Sequence, residues 1–386
     1  MRKNGRLLCR ILLAAGFLWL CRVPVWGSEA EGEASSTQER LFQELDLTQV
    51  QELLDSMVPE KSFSVSEAVK KIMAGETVLS KETLQEYLRG LFFSEYLQMK
   101  DMILKILMLV IAGAVFLNFS SVFSNAQISE VGFYATYLML FVLLVNLFQR
   151  LSMDLADTLE WMTEFMKSLM PSYLIAVTAA SGVSSAAVFY EGVILLVWMI
   201  QWVLMAVLLP AANLYVLLEL VNHLSREEML SKMAELVETV TGWGLKTMLG
   251  MVVGLQVVKN LVAPILDTLR RSVIGKTAGA IPGIGNAVNM VTELVLSSAV
   301  LVRNSLGTAV LLALVLAGAR PVLKYAGMSL VFRLLAALCQ PISDRRMVRA
   351  LGTMGEGCSV LMRILLTAQV LGMLIFVILM VSFGGG

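Results

Sequence analysis

Histidine is almost missing from this chain: His223 is the only one in 386 residues. A single imidazole excludes catalytic and metal schemes that need two. The four cysteines are too few for a disulfide scaffold. An excess of one charge is missing too, since 30 basic and 30 acidic residues cancel. Without a basic field, nucleic-acid binding is set aside. The phosphate-loop pattern fails at Gly275-Lys276-Thr277, because Arg270 stands where its first glycine belongs and no strand precedes it. Gly283-Ile284-Gly285 is no dinucleotide fingerprint, and no Gly-x-Ser-x-Gly elbow occurs. No cofactor or metal is called for, and an enzyme is not expected. Charge of any kind is scarce, at 16% against 57% hydrophobic residues, with a mean hydropathy of +0.76. That is not a soluble composition, so most of the chain is expected in lipid as an all-α, polytopic helical membrane protein.

The N-terminus carries Arg2, Lys3 and Arg6, then an apolar run from Ile11 to Leu20, then Val25-Trp26-Gly27. This order predicts a secretory signal peptide over residues 1–27, an uncleaved anchor being the alternative. Trp19 and Leu20 are too bulky for lipid attachment at Cys21. Cys339 and Cys358, the cysteines beyond the signal, are expected to be buried small hydrophobes.

Residues 28–101 form an acidic arm, expected on the extracytoplasmic side. Ser28 to Glu39 holds almost nothing to bury and is expected to be disordered. Thr48 with Gln51 and Ser64 with Glu67 have capping-box spacing, and Ser80 opens a third helix. Leu47, Val50, Leu53 and Leu54 share one face of the first helix; Val65, Ala68, Val69 and Ile72 share one face of the second. Pro59 separates the two and Gly75 ends the second. Such short helices must pack on each other, on the membrane or on a partner.

The polytopic domain, residues 102–386, contains apolar runs near 102–120, 131–149, 172–190, 192–221, 244–263, 306–320, 322–340 and 358–383. About eight spans follow, with Arg320-Pro321 turning the sixth and seventh into a tight hairpin. With the arm outside, this scheme puts Arg270, Arg271, Lys276, Arg303, Arg345, Arg346 and Arg349 in the cytoplasm, and 150–170 and 222–243 outside. The last two include amphipathic stretches, Leu151–Lys167 and Glu227–Thr239, expected to lie flat at the interface. His223 reads as an ordinary interfacial residue, while Arg363 and Gln369 are candidates to face a bundle interior.

Gly275 to Met290 is the most unusual segment. Its glycines and Pro282 break the helix where an apolar stretch resumes, and unpaired backbone at membrane depth must be buried or line a cavity. Lys276, Pro282, Gly283, Gly285, Asn286, Asn289 and Glu293 are therefore the candidates for a pore-lining or re-entrant segment, Asn286, Asn289 and Glu293 falling on one helical face. An interfacial helix with its polar face in water is the alternative. Gly250 and Gly254 form a Gly-x-x-x-Gly pair, the expectation for a close helix contact.

Phe119 to Tyr137, Gly275 to Val288, Arg303-Asn-Ser-Leu-Gly307 and Gln340-Pro-Ile-Ser-Asp344, taken in that order after a signal peptide and an acidic arm, resemble the stage III sporulation protein AE family. The resemblance implies a multi-pass protein of the mother-cell membrane around the forespore. It implies a non-enzymatic subunit of a channel or secretion-like complex, whose partners are the other subunits of that complex and the bilayer; a homo-oligomer is a separate expectation. A stand-alone secondary transporter using the Pro282 break and Glu293 is the alternative; the inverted repeats many transporters show are not evident.

Overall fold

The computed structural model describes residues 33–58, 63–78, 85, 87, 89–91, 100, 103–108, 110–115, 126–181, 183–224, 229–274 and 285–382; side chains at 33–37, 126–130, 133, 179–190, 255–295, 379 and 381–382 are excepted. The expected signal peptide, Pro59, Ser80 and residues 275–284 lie outside the described residues. All regular elements among the described residues are helical. In chain order they are α1 Glu33–Gln43, α2 Thr48–Met57, α3 Val65–Met73, α4 Ala126–Ser181 and α5 Val183–Val203; a π turn Leu204–Leu208 then leads to α6 Leu209–Asn222, α7 Ser231–Ile274, α8 Gly285–Cys339 and α9 Arg345–Ser382.

Among the described residues, four helices are long and apolar enough to cross a membrane: Tyr134–Thr178, Glu191–Asn222, Leu296–Cys339 and Arg345–Ile378. A shorter apolar helix covers Ile103–Val115. The long ones exceed a bilayer, since the 56 residues of α4 rise about 84 Å.

Helix α4 joins the apolar run 131–149 to the amphipathic stretch 151–167, which is therefore not a separate helix. The predicted apolar stripe is nonetheless real: Leu151, Leu155, Leu159, Met162 and Met166 are all buried. The Arg320-Pro321 hairpin is overturned as well, because Pro321 lies inside the continuous helix α8. A proline inside a helix lacks one N–H and crowds the carbonyl four residues back, here that of Ala317. Packing holds the helix together around this point. Gln369 Nε2 donates to Leu314 O at 3.0 Å, and Tyr87 Oη donates to Leu316 O at 3.1 Å. Any Cβ at Gly318 would overlap the Gln369 amide, so the absence of a side chain there admits the buried glutamine. Pro210 likewise follows the π turn, where the wider helical register accommodates the ring against Ala206.

Helix α8 runs antiparallel to α4 and to α9, which leaves α4 and α9 parallel, with Phe148 beside Gly357 and Tyr173 beside Phe376. Lys324 and Tyr325 of α8 bond Asp154 Oδ2 and Leu151 O of α4 at 2.7 and 2.9 Å. On α8 and α9, Ser329 Oγ donates to Gly355 O at 2.7 Å, and Gln369 reaches Leu314. Leu159 and Met166 of α4 share a small cavity with Val197 of α5 and Leu204, so the chain reverses where α4 gives way to α5. One apolar core runs through the bundle and into the arm, from Val50, Leu54, Val65 and Val69 to Phe165, Phe332, Leu361 and Phe376.

This arrangement corrects the expected sides. The turn after α6 and the start of α9 meet at one end of the bundle, with His223 Nε2 3.0 Å from Thr353 Oγ1. They cannot lie on opposite faces of a membrane, as the placement of 222–243 outside and 341–357 inside requires. The ends of α7 and α8 nearest residues 275–284 lie at the other end, a 55-residue helix away.

The arm also differs from expectation in detail. Glu33 to Glu39 is helical rather than disordered, with Arg40 in the last turn of α1 favouring the helix dipole. Thr48 opens α2 without capping it: the Asp46 carboxylate accepts the Thr48 N–H at 3.1 Å. Gln51 turns away from that end, donating to Phe63 O at 3.0 Å and accepting from Val65 N at 2.9 Å, which ties α2 to α3. Ser64 does cap α3, accepting the Glu67 N–H at 3.4 Å, while Glu67 pairs with Lys71 at 2.7 Å. Gly75 ends α3 as expected, at φ 74°.

Candidate functional site

Two sets of polar groups stand out against this apolar bundle. The first joins α6, α7 and α9. The buried Tyr215 hydroxyl donates to Glu356 Oε2 at 3.2 Å. One end of α6 further on, His223 Nε2 lies 3.0 Å from Thr353 Oγ1 and 3.6 Å from Glu219 Oε2. Arg363 Nη1 stands 4.0 Å from Glu238 Oε1 of α7. Asn222, 4% exposed, fixes the turn between α6 and α7 by accepting the Leu230 N–H at 3.0 Å and donating to Ser231 Oγ at 3.1 Å. Leu220 O also receives the Tyr137 hydroxyl at 2.7 Å. In an apolar surround each such inter-helix bond stabilises by roughly 0.6 kcal/mol, up to about 2. Together they hold three helices in one register and place ionisable groups, unusual between such helices, side by side. His223, at the end of α6, thus has polar partners on its own helix and on α9. Its i,i+4 relation to Glu219 is legible in the sequence, but Thr353 and Glu356 come from 130 or more residues away.

Arg303 gives a correction. Expected in the cytoplasm, it is 0% exposed, the largest fully buried side chain among the described residues. Its Nε and Nη2 donate to Asn304 Oδ1 at 3.3 and 3.1 Å. Gln369 faces the interior as expected, and Cys339 and Cys358 are free and buried.

The second set docks the arm. Trp161 Nε1 of α4 donates to Leu53 O at 2.8 Å, and Ser172 Oγ donates to Asp46 O at 2.7 Å. Trp161 is 9% exposed and stacks on Phe165 with centroids 5.1 Å apart. These bonds lock α2 against α4. Between α1, α2 and the start of α3 remains a cleft of about 500 Å³ lined by Phe42, Leu45, Asp46, Gln51, Glu52 and Lys70, among others.

Of the pore or re-entrant candidates, Lys276, Pro282 and Gly283 lie outside the described residues. Gly285 begins α8, and Asn286, Asn289 and Glu293 occupy its first turns, so the helix resumes where the glycines stop. Gly250 and Gly254 are exposed on α7, with nothing within 4 Å of a Cβ built at either.

The family model described as "Stage III sporulation protein AE" matches residues 63–384. A protein named "Stage III sporulation protein AE" from Bacillus subtilis (strain 168) is 22% identical over 362 residues, covering 91% of this chain and 90% of the relative. Both descriptions designate a sporulation protein, and neither is the name of an enzyme class. No solved structure matches.

Proposed function

Because the chain belongs to the stage III sporulation protein AE family, we propose that it is the polytopic, non-enzymatic membrane subunit of a channel or secretion-like complex joining mother cell and forespore. In this reading the signal peptide carries the arm to the extracytoplasmic side of the mother-cell membrane, and other subunits assemble on the arm and the bundle. The observation that carries the proposal is the extent of the family match, which takes in the whole bundle and part of the docked arm. Two features support a scaffold. Long helices are pinned by buried bonds along their length, and the cavity between α4, α5 and α9 measures about 30 Å³, room for about one water. The re-entrant role of Lys276, Pro282, Gly283, Gly285, Asn286, Asn289 and Glu293 remains part of the proposal, as does helix contact at Gly250 and Gly254, which their open face leaves to another chain.

A tagged full-length chain, purified from sporulating cells of its host in mild detergent, is expected to bring down other membrane and extracytoplasmic sporulation subunits, and its deletion to stop forespore development. Normal sporulation after deletion would sink the proposal. The secondary-transporter reading draws on the ionisable cluster of Tyr215, Glu219, His223 and Glu356. It predicts solute-coupled proton movement by the chain alone in proteoliposomes, where a subunit of a larger complex is silent.

A further inference from the structure

The cleft of the arm is more than a gap between helices. Its floor is apolar, from Phe42, Leu45 and Leu47, and its rim is acidic, from Glu39, Asp46, Glu52 and Asp55. Lys70, the base in the lining, is turned onto the Phe42 ring at 5.4 Å, so its charge is drawn to the aromatic face. The acidic surface continues onto α4. Trp161 bonds the carbonyl of Leu53, and the exposed ionisable residues of α4 around it are Asp157, Glu160, Glu164 and Lys167, a net acidic set. The cleft is held rigidly for a surface feature, since α2 is bonded to α4 through Trp161 and Ser172 and to α3 through Gln51. Two of its walls, α1 and α2, precede residue 63, where the family match begins.

We propose that this cleft holds a lysine- or arginine-bearing segment of another protein, its apolar side chains on Phe42, Leu45 and Leu47 and its cationic groups on Glu39, Glu52 and Asp55. Charge complementarity selects this occupant: an anionic lipid surface or an acidic peptide is repelled by the same rim. The inference rests on the arm being a docking platform, and deepens that reading by naming the chemistry of what docks.

The test uses the full-length chain in detergent and a fluorescein-labelled peptide, Arg-Leu-Ala repeated three times, read by anisotropy. The peptide is expected to bind, to weaken at least tenfold in the double variant Glu39→Lys with Glu52→Lys, and to stay within twofold in Glu191→Lys with Glu235→Lys, which changes net charge equally at exposed positions outside the cleft lining. Hydrogen exchange of α2 and α3 confirms that the arm of each variant stays docked. Equal weakening by both pairs, or none by the first, would overturn the proposal. So would calcium binding that the first pair abolishes while the peptide does not bind, since that makes the rim a metal site. Failure here with subunits still copurifying removes the cleft alone; loss of copurification removes the scaffold reading itself.

Discussion

Removing the indole at position 161 is expected to free the arm without unfolding the bundle. Trp161 combines three contributions: a 2.8 Å bond to Leu53 O, stacking on Phe165, and burial that leaves it 9% exposed. Truncation of a buried tryptophan to alanine costs about 3–5 kcal/mol. With tenfold per about 1.4 kcal/mol, and with the stacking on Phe165 kept within α4 when the arm leaves, opening of the arm becomes at most roughly 100- to 4,000-fold more frequent in Trp161→Ala. Trp161→Phe keeps the ring and loses the bond, at about 1 kcal/mol, or about fivefold. Hydrogen–deuterium exchange on the purified chain separates local from global effects. Amides of α2 and α3 are expected to lose protection in that order, while those of α9 between Met354 and Leu371, whose side chains are mostly buried, are unchanged. Equal loss of protection in α9 would show that arm and bundle open as one unit. Unchanged exchange in the alanine variant would show that Trp161 does not hold the arm.

Gly318→Leu is expected to expel the Gln369 amide and lower stability by about 1–3 kcal/mol, read as a drop in thermal midpoint. Tyr215→Phe removes the bond to Glu356 and is expected to cost about 1 kcal/mol, with a larger loss in Glu356→Leu only if that carboxylate has further partners. The Thr48 N–H beside Asp46 holds its carboxyl below the usual carboxylate range. A carboxyl lowered on folding stabilises fully above its unfolded pKa of about 3.9, and that contribution disappears as pH falls through the folded value. Exchange protection of α2 is therefore expected to be level above about pH 4 and to fall below it, and Asp46→Asn should remove the dependence.

Composition and periodicity were enough to read helices, membrane and the buried stripe Leu151 to Met166, because 3.6-residue repeats are local. Caps were half legible. Ser64 behaves as its spacing predicts, but at Thr48 a carboxylate two residues earlier takes the amide, and Gln51 finds a better partner in α3. Proline misled most. Arg320-Pro321 between two apolar runs reads as a turn, yet tertiary bonds from Gln369 and Tyr87 sustain the helix through it. Residues so distant in sequence leave no local signal. The same holds for Arg303, which reads as a loop cation and sits at 0% exposure, and for His223, whose partner Thr353 belongs to another helix.

The antiparallel frame settles which loops must share a side, and thereby a prediction the charge pattern alone gets wrong. The basic residues fall into two groups, Arg270, Arg271 and Lys276 after α7, and Arg345, Arg346 and Arg349 at the start of α9. Counting charges puts both groups inside. The 55 residues of α8 separate their ends by about 82 Å, far beyond a ~30 Å hydrocarbon core, so a bundle that crosses the membrane holds the two groups on opposite sides. The turn after His223 lies with the second group, through its 3.0 Å contact to Thr353. Reporters inserted after Leu230 and after Arg346 are therefore expected to read the same compartment, and one inserted after Ala278 the other. Opposite readings at Leu230 and Arg346 would mean that α6 and α9 do not pair in the membrane as they do here. Agreement of all three would mean that α8 does not cross.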